Sequence, residues 1–165
     1  PNSIWGVDIT YIATTAGRVY LSIVIDLFSR KIVGWAIANN LKDELPISAL
    51  NMALNLRQIG QGLLHHSDRG VQYTSKRYQH ILRKENISIR MSRKGNCWDN
   101  SVTESFFATI KKYLIFRKKW SDQHHVRQEV NEYILNFYNS VRRHSALDYT
   151  SPNQYEVLTA LDKIA

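Results

Sequence analysis

Cysteine is nearly absent from this chain: Cys97 is the only one in 165 residues. A single thiol excludes an intrachain disulfide and any Cys-rich zinc module, and it suits a reducing compartment. Also missing is any apolar run approaching the about 18 residues of a membrane-spanning helix, and no signal-peptide pattern opens the sequence. The expectation is a cytoplasmic protein with no membrane partner. No internal repeat or low-complexity segment interrupts the chain. Acidic residues are in deficit, 14 Asp and Glu against 22 Lys and Arg, which gives a formal charge of +8. With a pI near 9.7, the excess points to a polyanionic partner, nucleic acid first.

Apolar residues are plentiful at 44%, with 11% aromatic, enough for one domain spanning residues 1–165 to bury a core. The chain opens at Pro1-Asn2 without Met and enters strand-like sequence at once. That suggests a preceding N-terminal region. In Trp5-Gly-Val7-Asp-Ile9-Thr-Tyr11 the apolar residues alternate, which sets Asp8 and Thr10 on the opposite face of a first strand. Val19 to Phe28 is almost continuously apolar, as an interior strand requires. Lys31 to Ala38 completes a three-stranded meander.

Asp43 can cap a helix that carries Pro46 in its first turn. A short strand at Leu63–His66 stops at Ser67-Asp68-Arg69-Gly70. Ser75 opens a basic helix, and Ile87–Met91 reads as a fifth strand. Residues 92–100 have loop composition. Helices follow from Ser101 to about Lys118, from Asp122 to about Tyr138, and from Ser151-Pro152. The order predicts an α/β fold whose five-stranded mixed sheet is flanked by helices.

Three carboxylates stand out in that layout. Asp is disfavoured inside strands, so Asp8 calls for a reason. Asp68 sits where a strand runs out into a loop, a usual place for ligand groups in α/β sheets. Glu104 closes Ser101-Val-Thr-Glu104, which fits a helix capping box and leaves a structural reading open. Hard divalent cations take oxygen ligands, and two-metal phosphoryl transfer needs carboxylates converging from separate elements.

Five blocks carry a resemblance: Trp5-x-x-Asp8-Ile-Thr, VIDLFSRKIVGW, HSDRGVQYTS, SRKGNCWDNSVTESFFATIKK and YNSVRRHSALDYTSPNQYE. In this order, over nearly the whole chain, they resemble the integrase-type catalytic core of bacterial insertion-sequence transposases, which shares its acidic triad with retroviral integrases. In that family 35 residues separate the second and third acids, and Asp68 and Glu104 enclose 35 residues here. The chain departs in having Val7 where Thr is frequent before the first acid.

The resemblance implies an RNase H-like fold with three antiparallel strands followed by two parallel ones. It also implies Asp8, Asp68 and Glu104 as catalytic metal ligands for two Mg²⁺ or Mn²⁺ ions, and Glu104 is taken as a ligand. The reaction implied is cleavage of an element's DNA end followed by strand transfer into target DNA. A homo-oligomer on DNA, associated with the bacterial nucleoid, is expected, with an N-terminal DNA-binding region lying outside this chain. The alternatives are an RNase H-like nuclease that cuts without joining and a non-catalytic DNA-binding module.

Lys111 matches a frequent Lys or Arg seven positions after the glutamate. On a helix it falls within about 20° of Glu104 and about 10.5 Å further along, opposite Val102, Phe106, Ile110 and Tyr113. The resemblance assigns it, with Asn100, Arg142 and Arg143, to DNA binding. Arg117-Lys-Lys119 is either a backbone contact or a basic helix end. Asp26 is read as structural. His66 is a site neighbour or a packed histidine. His124-His125 lacks zinc spacing, and Trp98 is read as a buried loop anchor.

Overall fold

The protein is described by a computed structural model covering residues 1–68, 70–91 and 97–162, with the backbone alone for 91 and 97–100. Strand β1 (Ile4–Thr14) pairs antiparallel with β2 (Gly17–Asp26), and β2 pairs antiparallel with β3 (Ile32–Ala38). Helix α1 (Glu44–Leu56) leads to β4 (Leu64–Ser67), helix α2 (Lys76–Lys84) and β5 (Ser88–Met91). Strand β4 lies parallel to both β1 and β5, giving the sheet order β3-β2-β1-β4-β5. Helices α3 (Cys97–Tyr113), α4 (Gln123–Glu132) and α5 (Pro152–Leu161) complete the chain.

The two faces of the sheet hold separate cores. One gathers Trp5, Val7, Val24 and Val33 against Ala49, Leu50 and Ala53 of α1 and Tyr78 and Leu82 of α2. The other packs Ile12, Leu21, Ile23 and Ile25 against Phe106, Phe107 and Ile110 of α3 and Val126, Val130 and Ile134 beyond it. Strand β2 serves both, which is why its sequence is apolar at nearly every position. Helix α3 is seated on β1 at Gly6. A Cβ there would stand 3.0 Å from Leu27 Cδ2 and 3.2 Å from Thr103 Cγ2, so a larger residue would have to push these side chains aside. Thr103 therefore packs beside the strand two positions before Asp8.

Four local expectations change. Helix α3 begins at Cys97, inside the stretch expected to be loop, because Asp and Asn suit a helix's first turn as well as a turn. Glu104 then lies about two turns in, and Ser101 is not its N-cap. Asp43 precedes α1 without a side-chain cap bond and instead accepts from Arg77 Nη1 at 3.2 Å. The helix expected to run through Tyr138 leaves α-geometry after Glu132, and Tyr133–Tyr138 is π-helical. Its wider turn keeps Tyr133, Ile134 and Tyr138 all buried. On α3, Phe107 and Thr103 are buried, while Tyr113 is 43% exposed rather than part of the apolar face.

Asp26 is fully buried and structural. Its carboxylate accepts from the amides of Asn2, Phe28 and Ser29, with Arg57 Nη2 3.7 Å away. Arg57 also grips Glu156 of α5 through two bonds of 2.9 and 2.7 Å, joined by Ser29 Oγ at 2.8 Å and Lys31 Nζ at 3.2 Å. Burial alone would raise the Glu156 carboxyl; the bonds from Arg57 and Ser29 and the nearby charges hold it below its usual value. This fork–fork pair ties the last helix to the lower end of the sheet.

Candidate active site

Strand β4 contacts β1 only at Ile4–Gly6. Beyond Gly6 that edge of β1 opens, and a cleft of about 370 Å³ lies along it. Asp8, Thr10 and Tyr11 line it from β1, Tyr20 from β2, Leu41 from the approach to α1, and Asp68, Gly70 and Tyr73 from the segment after β4. Asp8 is half-buried, and its Oδ1 accepts from its neighbour's amide, Ile9 N, at 2.8 Å. Asp68 is exposed, and its Oδ1 accepts from Gly70 N at 2.8 Å in a turn closed by Tyr73 N donating to Gly70 O at 3.0 Å.

Gly70 is the position the sequence reading passed over. A Cβ there would sit 2.9 Å from Asp68 Oδ1, so its bareness is what leaves the carboxylate its seat. Tyr73 was missed as well. It is 3% exposed, beneath the acids, with its ring centroid 5.5 Å from that of Tyr78. Burial raises its phenol, and the charges of Asp8 and Asp68 push the same way. The Asp68-x-Gly spacing could have announced the turn; nothing in the sequence places Tyr73 under the site.

Asp8 reports on its neighbours. Burial pushes its carboxyl from 3.8 up to about 6; the Ile9 amide opposes this, Asp68 and Glu104 repel the ionised form, and Lys111 favours it. Asp68, Glu104 and Lys111 thus each lie within electrostatic reach of Asp8. They do not form a closed chelate: among the described residues, no three His, Cys, Asp or Glu side chains are close enough to hold an ion. The donor set suits a hard divalent cation all the same. It is all carboxylate oxygen, and its innermost member carries a charge penalty that a cation would relieve.

The remaining candidates divide. Lys111 is half-buried on the Glu104 side of α3. Asn100 is helical in α3, and its side chain, like that of Trp98, lies outside the described residues. Arg142 and Arg143 follow the π-helical segment, Arg142 half-buried and Arg143 exposed. His66 is buried in β4 at 2% exposure, and His124 is exposed while His125 packs 5.1 Å from Trp120. Arg117 donates through Nε to Lys112 O, and Lys118 pairs with Glu129.

Comparison with known proteins agrees with this layout. A family model described as an integrase core domain matches residues 1–97, and a second of the same description matches 85–152. The transposase for insertion sequence element IS904 of Lactococcus lactis is 44% identical over 156 residues, covering 94% of this chain and 62% of that protein. Transposase InsF for insertion sequence IS3A of Escherichia coli is 41% identical over 156 residues, covering 94% and 54%. The chain thus spans little more than half the length of these curated relatives. The HTLV-2 integrase catalytic core domain in complex with magnesium superposes with a TM-score of 0.73 at 19% identity, covering 94% of this chain and 96% of that one. The BIV integrase catalytic core gives 0.73 at 13% identity with full coverage of both. These two establish the RNase H-like fold. The chain belongs to the integrase core domain family, and the curated relatives it matches are transposases of insertion sequences.

Proposed function

We propose that residues 1–165 form the catalytic core of a DNA transposase, a polynucleotidyl transferase that cuts an element's end and joins it to target DNA. The observation that supports this reading is that Asp8 and Asp68 line one cleft at the open edge of β1, with Glu104 and Lys111 near enough to act on the charge of Asp8. Asp8, Asp68 and Glu104 would hold two Mg²⁺ or Mn²⁺ ions. Such ions supply Lewis-acid activation at phosphorus and stabilise both the entering and the leaving oxygen.

The chain's own residues set the stage. Gly70 fixes one oxygen of Asp68, and the Ile9 amide fixes one of Asp8, so each acid offers its other oxygen to the cleft. Lys111 stands beside the acids as a cation for a DNA phosphate, Asn100 extends that contact, and Arg142 and Arg143 bind DNA elsewhere on the surface. The net charge of +8 favours DNA approaching from any side. The whole protein acts on DNA as a homo-oligomer in the bacterial cytoplasm, at the nucleoid.

The test is Asp68→Asn. We expect it to abolish Mn²⁺-dependent strand cleavage and joining of a pre-cleaved end while DNA binding and thermal unfolding stay near wild type. Full activity in that variant would overturn the assignment. Cleavage by wild type with no joined product would instead identify a nuclease that never transfers strands.

A further inference from the structure

Three cations close on one partly exposed ring, on the side of α3 turned away from the acids. Lys112 Nζ lies 5.6 Å from the centroid of Tyr113, Arg117 Cζ 5.8 Å and Arg142 Cζ 5.6 Å. Tyr113 comes nine residues after Glu104, hence half a turn round the helix and about 13.5 Å along it. Arg142 arrives from the segment after the π-helical turn, whose Phe137 ring lies 6.4 Å from that of Tyr113. The irregular backbone there brings a distant arginine onto the end of α3.

The cluster lacks compensation. Among the described residues, none of the three cations has a carboxylate within 4.0 Å. Arg117 donates only to the Lys112 carbonyl, at 3.1 Å, and Arg142 Nε is buried without a hydrogen-bond partner. Arg142 and Arg30 both act as positive charges on nearby His144 and Tyr138. The ring's π-face offsets part of the repulsion, but it cannot satisfy a buried guanidinium N–H. An anion can do both.

We infer that this face is a second DNA contact, binding backbone phosphates of a duplex stretch other than the one at the acids. Guanidinium forks match phosphate oxygens. Exposed Phe116 and Val141, at 78% and 60%, supply apolar surface beside them for sugar edges. Charge favours DNA over an acidic protein: Lys111, which acts on Asp8, and Lys112 of the cluster are consecutive residues of a chain with a formal charge of +8. The inference rests on the reading of the chain as a DNA-acting core.

The test titrates binding of the metal-free chain to a short linear duplex against NaCl, by fluorescence anisotropy. Lys112→Gln and Arg117→Gln, alone and together, are the variants, both at exposed positions that the fold tolerates. Each should make the dependence of log affinity on log salt shallower by about 0.9 and weaken binding roughly tenfold at low salt. Their losses should add to that of Lys111→Ala, because separate phosphates are involved. Arg142→Lys keeps the charge but loses the fork, and it should give a smaller loss. An unchanged salt dependence in the double variant would overturn the inference, as would poly-glutamate competing as well as DNA at equal charge. The Asp68→Asn result separates the two claims. An inactive Asp68→Asn with an unmoved salt dependence sinks the second contact alone. An active Asp68→Asn with the expected salt dependence sinks the catalytic assignment and leaves the contact.

Discussion

Neutralising Asp8 should make the metal-free protein more stable, against the usual effect of substituting a half-buried residue. The Asp8 carboxyl titrates near 3.8 when unfolded and at about 6 when folded. Below the lower value it is protonated in both states and contributes its full share of stability. Between the two values the unfolded chain releases its proton while the folded one keeps it, so stability falls with rising pH. Above about 6 the loss is complete and constant. At about 1.4 kcal/mol for each pH unit, it comes to about 3 kcal/mol. Asn at this position can still accept from Ile9 N, so Asp8→Asn removes the charge while sparing the local bond.

The variant should therefore match wild type at pH 4 and exceed it at pH 8. For a chain of this size, about 3 kcal/mol corresponds to a rise of about 6–12 °C in Tm. Differential scanning fluorimetry across pH 4–8 in EDTA reads this directly. Saturating Mn²⁺ should reverse the order at pH 8. At a thousandfold excess over its Kd it stabilises wild type by about 4.1 kcal/mol, more than the about 3 kcal/mol gap, and it should do little for a variant lacking a ligand. Equal or lower Tm for Asp8→Asn at pH 8 in EDTA would refute the idea that burial and the charges of Asp68 and Glu104 press on Asp8.

Other substitutions probe the parts separately. Lys111→Ala should weaken binding to an element's end more than it slows hydrolysis of a simple nicked duplex; equal losses in the two assays would deny it a positioning role. Gly70→Ala should cut Mn²⁺-dependent cleavage at least roughly tenfold through displacement of Asp68, with unfolding in urea changed by less than about 1 kcal/mol. Asn139 is buried and holds β3 through Ile32 N at 3.0 Å and Ile32 O at 2.9 Å. Asn139→Ala strands both groups and should cost about 2–4 kcal/mol in urea unfolding; a loss under about 0.5 kcal/mol would show that water replaces the amide freely.

The pattern of apolar residues was enough to locate the five strands; their antiparallel and parallel pairing was implied by the family resemblance. Alternation in β1, the continuous run of β2 and the short stretches at Leu64–Ser67 and Ser88–Met91 each encode a different degree of burial, and burial is what side-chain periodicity records. Helix ends were less legible. Asp99 and Asn100 suit a loop or a helix's opening turn, so the start of α3 at Cys97 could not be chosen from composition. The π-helical turn at Tyr133–Tyr138 leaves no local signature either, because its aromatic residues would fit an α-helix equally well.

The chain by itself determined which residues could do chemistry: an aspartate inside an apolar strand, another at a strand's exit, a glutamate and a lysine on one helical face. The two aspartates follow from backbone periods and short spacings, which are properties of neighbouring residues; the roles of Glu104 and Lys111 were implied by the family resemblance. Only the tertiary structure decided how they meet, through Gly6 letting α3 lie on β1 and Gly70 seating Asp68. It alone gathered Lys112, Arg117 and Arg142 round Tyr113. Contacts between residues far apart in sequence depend on how whole elements pack, and packing is a sum over the fold that no local pattern contains.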